Sequence, residues 1–222
     1  MIKKLLFFPL FLIALVPFAQ TLSIGPRIGY ASSGMSRQES GKLPVNSILA
    51  GGVFNFSFNE LFSLQLEAYY LNKGGGYGFR LNGINYSDYF TFKVVEFPLL
   101  AKFTVGNSKA KIIFLGGPYL GYVTGGKWVY EDDLESYTEE LTNFTFYDAD
   151  GIKTSRLDLG FQVGGGMSAD IGKGKLLLEL RFGVGLTEWF KFNTSQNYNL
   201  DDLNHRTFAI TAGYIFPAWS ND

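Results

Sequence analysis

The strongest constraint on this chain is an apolar face, free of charge, that recurs eight times along it. From Arg156 to Ile171, Leu157, Leu159, Phe161, Val163, Gly165, Met167, Ala169 and Ile171 alternate with Arg156, Asp158, Gly160, Gln162, Gly164, Gly166, Ser168 and Asp170. Period two puts the first set on one side of a β-strand and the polar or small set on the other. The stretch is far longer than the ~5–6 residues of an ordinary globular strand. Its glycines invite a phosphate-loop reading, but the spacing excludes it. Gly172-Lys173 would need Gly five positions earlier and Ser or Thr next, where Met167 and Gly174 stand. The dinucleotide pattern fails too, because Gly164 and Gly166 are followed by Ala169.

Seven further segments alternate in the same way, with apolar faces spanning Leu22–Tyr30, Ile48–Phe58, Phe62–Tyr70, Val95–Val105, Ile112–Tyr122, Leu176–Leu186 and Phe208–Phe216. None of the eight apolar faces carries Asp, Glu, Lys or Arg. Lipid contact enforces such an absence, since a charge at the bilayer midplane costs roughly 2–4 kcal/mol on a barrel's outer face. A soluble, lipocalin-like barrel would instead carry many charges on its solvated side. Asn59-Glu60, Gly106-Asn107-Ser108 and Gly172-Lys173-Gly174 make short connections, while about 31–46, 72–90, 125–155 and 188–205 form long ones. The sequence therefore predicts an all-β fold: an eight-stranded antiparallel transmembrane β-barrel, an up-and-down meander with short periplasmic turns and long extracellular loops. Tyr30, Tyr70, Tyr122, Phe58, Phe62 and Phe216 sit near segment ends, where interfacial aromatic girdles belong.

The N-terminus fits export. Lys3 and Lys4 precede an unbroken apolar run from Leu5 to Val16, then Pro17-Phe18-Ala19-Gln20. That is a signal-peptide pattern, and the run is too short for a spanning helix of ~20 residues. We expect residues 1–19 to be removed and 20–222 to form one barrel domain in the outer membrane. There is no cysteine, so neither a disulfide nor a lipidated cysteine is possible. A net charge of −1 gives nucleic-acid binding no support.

Eight strands enclose a space that side chains fill. The inward faces supply Arg27, Lys102, Lys111, Arg156 and Arg181 against Glu67, Glu96, Asp158 and Glu179. Buried charges must be paired, so this set is expected to be a salt-bridge network that plugs the lumen. Inward glycines, among them Gly160, Gly164, Gly166, Gly183 and Gly185, would make room for it. Catalysis has little to stand on. The one histidine, His205, reads as a solvated loop residue, and no nucleophile motif surrounds any serine. The loop 127–155 mixes eight acidic residues with Trp128, Tyr130, Tyr137, Phe144, Phe146 and Tyr147, a possible partner-binding surface. Asp148-Ala-Asp150-Gly151 is a poor calcium loop, with Gly at position four and no closing Glu. No metal or other cofactor is expected. Lys73-GGGYGF-Arg80 reads as a flexible loop tip.

Several runs are similar to a known family: Val95-Glu-Phe-Pro-Leu-Leu-Ala-Lys-Phe103, Gly116-Gly-Pro-Tyr-Leu-Gly-Tyr122, Leu157-Asp-Leu-Gly-Phe-Gln-Val-Gly-Gly-Gly166, Leu178-Glu-Leu-Arg-Phe-Gly183 and Ala212-Gly-Tyr-Ile-Phe216. Together they resemble the outer membrane protein β-barrel domain family common in the Bacteroidetes, also called the porin family, to which PorT-like small barrels belong. The resemblance implies a small barrel in contact with outer-membrane lipid, inserted by the barrel-assembly machinery that reads the last strand. Many such barrels end on the final aromatic, whereas here Pro217-Ala-Trp-Ser-Asn-Asp222 follows Phe216. The PorT branch is associated with type IX protein secretion and gliding. The resulting expectation is a non-enzymatic barrel with a charge-plugged lumen and an envelope-protein partner. The alternative is a narrow pore for small solutes or ions.

Overall fold

The structure is a computed structural model that describes residues 19–35, 42–107, 110–146, 152–187, 190–191 and 204–220. The expected signal segment lies almost wholly outside these residues. Eight long strands carry the fold: β1 (Thr21–Met35), β2 (Lys42–Ser57), β3 (Phe62–Leu81), β4 (Ile84–Gly106), β5 (Ala110–Asp132), β9 (Leu157–Ile171), β10 (Gly174–Gly185) and β12 (His205–Ser220). Each pairs antiparallel with its neighbours, and β1 closes the ring against β12 from Thr21↔Ser220 to Met35↔His205. Short elements lie above the ring: β6 (Ser136–Glu140), β7 (Thr145–Phe146), β8 (Ile152–Thr154) and β11 (Phe190–Lys191). A closed ring leaves no unpaired edge, which is what allows strands to cross a bilayer.

The facing follows the alternation. Ile28, Ile48, Phe114, Phe161, Leu180 and Phe208 point outward and are exposed, whereas Arg27, Leu49, Ile113, Gln162, Arg181 and Ala209 point inward and are buried. Chain ends and short turns gather at one end, the side that faces the periplasm in outer-membrane barrels. Asn59 caps one of these turns by accepting from the backbone N–H of Leu61 and Phe62. Of the residues after Phe216, 217–220 continue β12 rather than leave it. A bulge sets Pro217 opposite Ser23 and Trp219 opposite Leu22, so Trp219 becomes the outermost aromatic of the final strand.

The segment 72–90 differs from the expected loop. β3 runs on to Leu81 and β4 starts at Ile84, and the two stay paired up to Leu81↔Ile84. Asn82 and Gly83 form the two-residue turn with φ of 52° and 88°. Asn-Gly is the preferred pair for a type I′ hairpin because both residues tolerate positive φ. β5 extends alongside to Asp132 and turns back into β6, which pairs Lys127↔Glu140 to Glu131↔Ser136. A sheet tongue of β3, β4, β5 and β6 thus stands beyond the ring on the extracellular side.

Gly83→Val tests that turn. A β-branched residue at φ 88° is a strained outlier, so an externally added protease should cleave near residue 83 at least several times faster than in the parent. The barrel below should stay intact on the same gel. Unchanged cleavage would mean that the hairpin does not depend on this turn.

Candidate functional site

Two clusters of charged side chains cross the lumen. In the first, Arg181 on β10 binds Glu67 on β3 through Nη1 at 2.8 Å and Nη2 at 2.6 Å, and binds Glu179 at 2.5 Å. Arg27 on β1 donates to Glu179 at 2.5 Å and to Thr211 Oγ1 at 3.1 Å, and stands 3.4 Å from Glu67. Two guanidinium groups and two carboxylates from β1, β3 and β10 close a neutral knot. All four are buried. Gln65 extends it, donating to Glu67 at 2.5 Å and accepting from Lys102 Nζ at 2.8 Å.

The second cluster centres on Lys73, whose ammonium pairs with Glu96 and lies 3.0 Å from Asp158 Oδ2. It also sits 4.3 Å above the Tyr119 ring, a cation–π contact. His205 Nε2 is 3.3 Å from Asp158 and 3.0 Å from the Tyr119 hydroxyl. Tyr69 donates to Glu96, and Gln162 donates to Glu96 at 2.5 Å and to the Tyr69 oxygen at 2.9 Å. Glycines make the space: a Cβ on Gly185 would meet the His205 ring at 2.0 Å, and one on Gly160 the Tyr119 ring at 2.3 Å. Gly166 answers a different need, because its Cβ would meet the Leu178 carbonyl of the next strand at 2.1 Å.

Among the described residues, four basic ones (Arg27, Lys73, Lys102, Arg181) and four acidic ones (Glu67, Glu96, Asp158, Glu179) are therefore buried in the barrel, balancing with His205 neutral. Seven of the nine residues expected in the network lie in it. Lys111 does not. It is half-buried at the periplasmic mouth, where it lines a cavity of about 440 Å³ with Lys102. Arg156 does not either: it lies before β9, exposed, with its guanidinium 4.0 Å over the Phe144 ring. Sequence reasoning missed Lys73, placed in a loop, and His205, read as solvated. Both are 1% exposed, on inward positions of strands that continue past the expected ends.

Apolar layers complete the plug. Val53, Leu100, Ile113, Leu115, Leu177 and Ile215 form one, and Leu49, Leu71, Phe92, Val94 and Val123 belong to another. Met35, Phe90, Trp128, Leu141 and Phe144 pack onto the second. Phe144 holds φ at 59°, an unusual conformation for a bulky residue, in a turn closed by the Thr142–Thr145 bridge.

Above the mouth, aromatics run across the tongue. Ring centroids are 6.0 Å apart for Tyr77–Phe79, 5.0 Å for Phe79–Tyr86, 6.4 Å for Tyr86–Tyr130, 6.2 Å for Phe90–Trp128 and 5.9 Å for Trp128–Tyr137. Trp128 Nε1 donates to Asp88 at 2.6 Å. At the tip, the Asn85 backbone N–H (2.9 Å) and carboxamide (3.1 Å) bind Asp133 and hold its carboxyl below the usual range. Of the aromatics expected on such a surface, Trp128, Tyr130 and Tyr137 lie in this array, whereas Phe144 packs instead onto the apolar layer below; Tyr77, Phe79 and Tyr86 were not expected. The Phe146 side chain, Tyr147 and the Asp148–Gly151 run lie outside the described residues. Among the described residues no cluster of three or more His, Asp or Glu is arranged to hold a metal ion.

A closed antiparallel ring, a band of outward-facing segments without charge and a charge-paired interior define an integral outer-membrane β-barrel. The family model "Outer membrane protein beta-barrel domain" matches residues 18–191. The chain belongs to that family. No curated protein sequence matches it. Solved structures similar to it include Ail, the attachment invasion locus protein of Yersinia pestis, in complex with a heparin analogue. Ail is 16% identical, with 88% of this chain and 99% of that one covered and a TM-score of 0.44. Neisserial surface protein A (11%, 88% and 96%, 0.49) and OprG from Pseudomonas aeruginosa (13%, 90% and 98%, 0.47) are also similar.

Proposed function

We propose that the protein is a non-conducting, non-enzymatic barrel that serves as a membrane anchor for its extracellular tongue, which binds another envelope protein. The observation that carries this reading is the lumen itself. Paired charges from β1, β3, β4, β9, β10 and β12 meet across it, with apolar layers as well. A solute would have to break buried ion pairs to pass, and each broken pair strands a charge. The tongue offers what a binding surface needs: Tyr77, Phe79 and Tyr137 are exposed, flanked by the carboxylates of Glu131, Asp133 and Glu135. Aromatic residues dominate the energetic centres of protein interfaces.

Planar-bilayer recording tests the first half, and steady conductance of the folded protein would overturn it in favour of a narrow pore. A photo-crosslinker at Tyr137 in intact cells tests the second half. A discrete adduct that disappears in a Tyr77→Ala/Phe79→Ala variant supports a partner, and no adduct counts against it. The PorT-like runs suggest that this partner belongs to a protein-secretion assembly. A deletion strain with an unchanged secreted proteome would refute that finer assignment. Insertion by the barrel-assembly machinery through β12 is part of the same proposal.

A further inference from the structure

The periplasmic end of the barrel holds a feature that an anchor does not need. A blind cavity of about 440 Å³ opens there between the short turns. It ends against Leu177 and Ile215, members of the lower apolar layer. Its lining is polar and positively charged: Lys102, Lys111 and Lys175 face it against one carboxylate, Glu60. Lys102 is the informative group. It is 4% exposed, yet its ammonium is bound to the carboxamide oxygen of Gln65 and lies within ion-pair distance of no carboxylate among the described residues. The other buried lysine, Lys73, has two carboxylates. A buried ammonium with one neutral partner retains unused donors and has no counter-charge in direct contact. Asn55, in the same wall, leaves its buried Oδ1 without a hydrogen-bond partner.

We infer that this vestibule is a binding site for a small, multiply charged oxyanion from the periplasm, carrying phosphoryl or carboxylate groups. Lys102 would bind the anion at the closed end, where the apolar layer lowers the local dielectric and strengthens a charge-assisted hydrogen bond. Lys111 and Lys175 would hold its outer charges at the mouth. A hydroxyl on the ligand would satisfy Asn55 Oδ1 as a donor. The size suits a ligand of this kind, because small-molecule sites begin at about 300 Å³. The Lys102–Gln65–Glu67 chain would connect an occupied vestibule to the central knot.

Calorimetric titration of the full folded barrel in detergent, at constant ionic strength set with sodium chloride, tests this with inorganic phosphate and with citrate as probes. Saturable binding of at least one probe is expected. Phosphate alone assigns phosphoryl chemistry, and citrate alone assigns carboxylate chemistry. Lys102→Gln should weaken binding at least about tenfold, the scale of one lost charge-assisted hydrogen bond. Lys102→Arg should retain most of it. Should Lys102→Gln fail to fold, the rim variant Lys111→Gln/Lys175→Gln decides, with a several-fold loss expected. Absence of saturable binding by either probe overturns the site. Unchanged affinity in the deciding variant overturns it equally.

Discussion

Arg181→Met should lower the stability of the folded barrel by about 3–5 kcal/mol, the scale of breaking a buried ion pair from one side. The change removes both guanidinium bonds to Glu67 and the contacts to Glu179, leaving Arg27 to compensate two buried carboxylates. Urea unfolding in detergent micelles measures the loss, with the slope checked for constancy so that the shift in midpoint reports stability. Adding Glu67→Gln to Arg181→Met restores the charge balance, and part of the loss should return. A non-additive cycle of that sign is the signature of direct coupling. A loss below about 1 kcal/mol would indicate a solvated pair and therefore a wet lumen, since exposed ion pairs contribute that little.

Phe161→Arg should cost about 2–4 kcal/mol of insertion stability, because Phe161 projects outward from the middle of β9 with nothing polar to receive a cation. The next residue supplies the contrast. Gln162 points inward, and its carboxamide already donates to Glu96 at 2.5 Å. An arginine there would have a carboxylate within reach, so Gln162→Arg should cost less despite some crowding. The fraction of heat-resistant, compact barrel on a cold gel compares the two variants. Equal losses would contradict the assigned faces.

The two predictions differ in how much of their basis was readable beforehand. Phe161 was placed correctly by alternation alone, because lipid acts on every residue of the outward face and excludes charge from all of them. That rule holds only within the bilayer. Where β3 and β4 run on, Lys73 reads as part of a glycine-rich loop, although the Asn82-Gly83 pair marks the strands' true end. His205 is misread for the same reason, standing at the next inward position, two residues before Thr207, where the polar face recognised for β12 begins. Arg156 erred in the opposite direction, since its parity fits β9 but the strand begins only at Leu157. Pairing partners were not legible at all. Arg27 and Glu179 are 152 residues apart, and only closure of the ring brings them together.

That distance has a consequence for the order in which the barrel assembles. The buried charges of β1 through β5 (Arg27, Glu67, Lys73, Glu96, Lys102) sum to +1, and those of β9, β10 and β12, with His205 neutral, sum to −1. Neither half is neutral alone, so a partly inserted chain would expose an uncompensated charge to lipid at considerable cost. Arg27 on the first strand finds Glu179 and Thr211 only when β10 and β12 arrive. The charge plug is therefore complete, and its buried charges all compensated within the barrel, only when the first and last strands are joined.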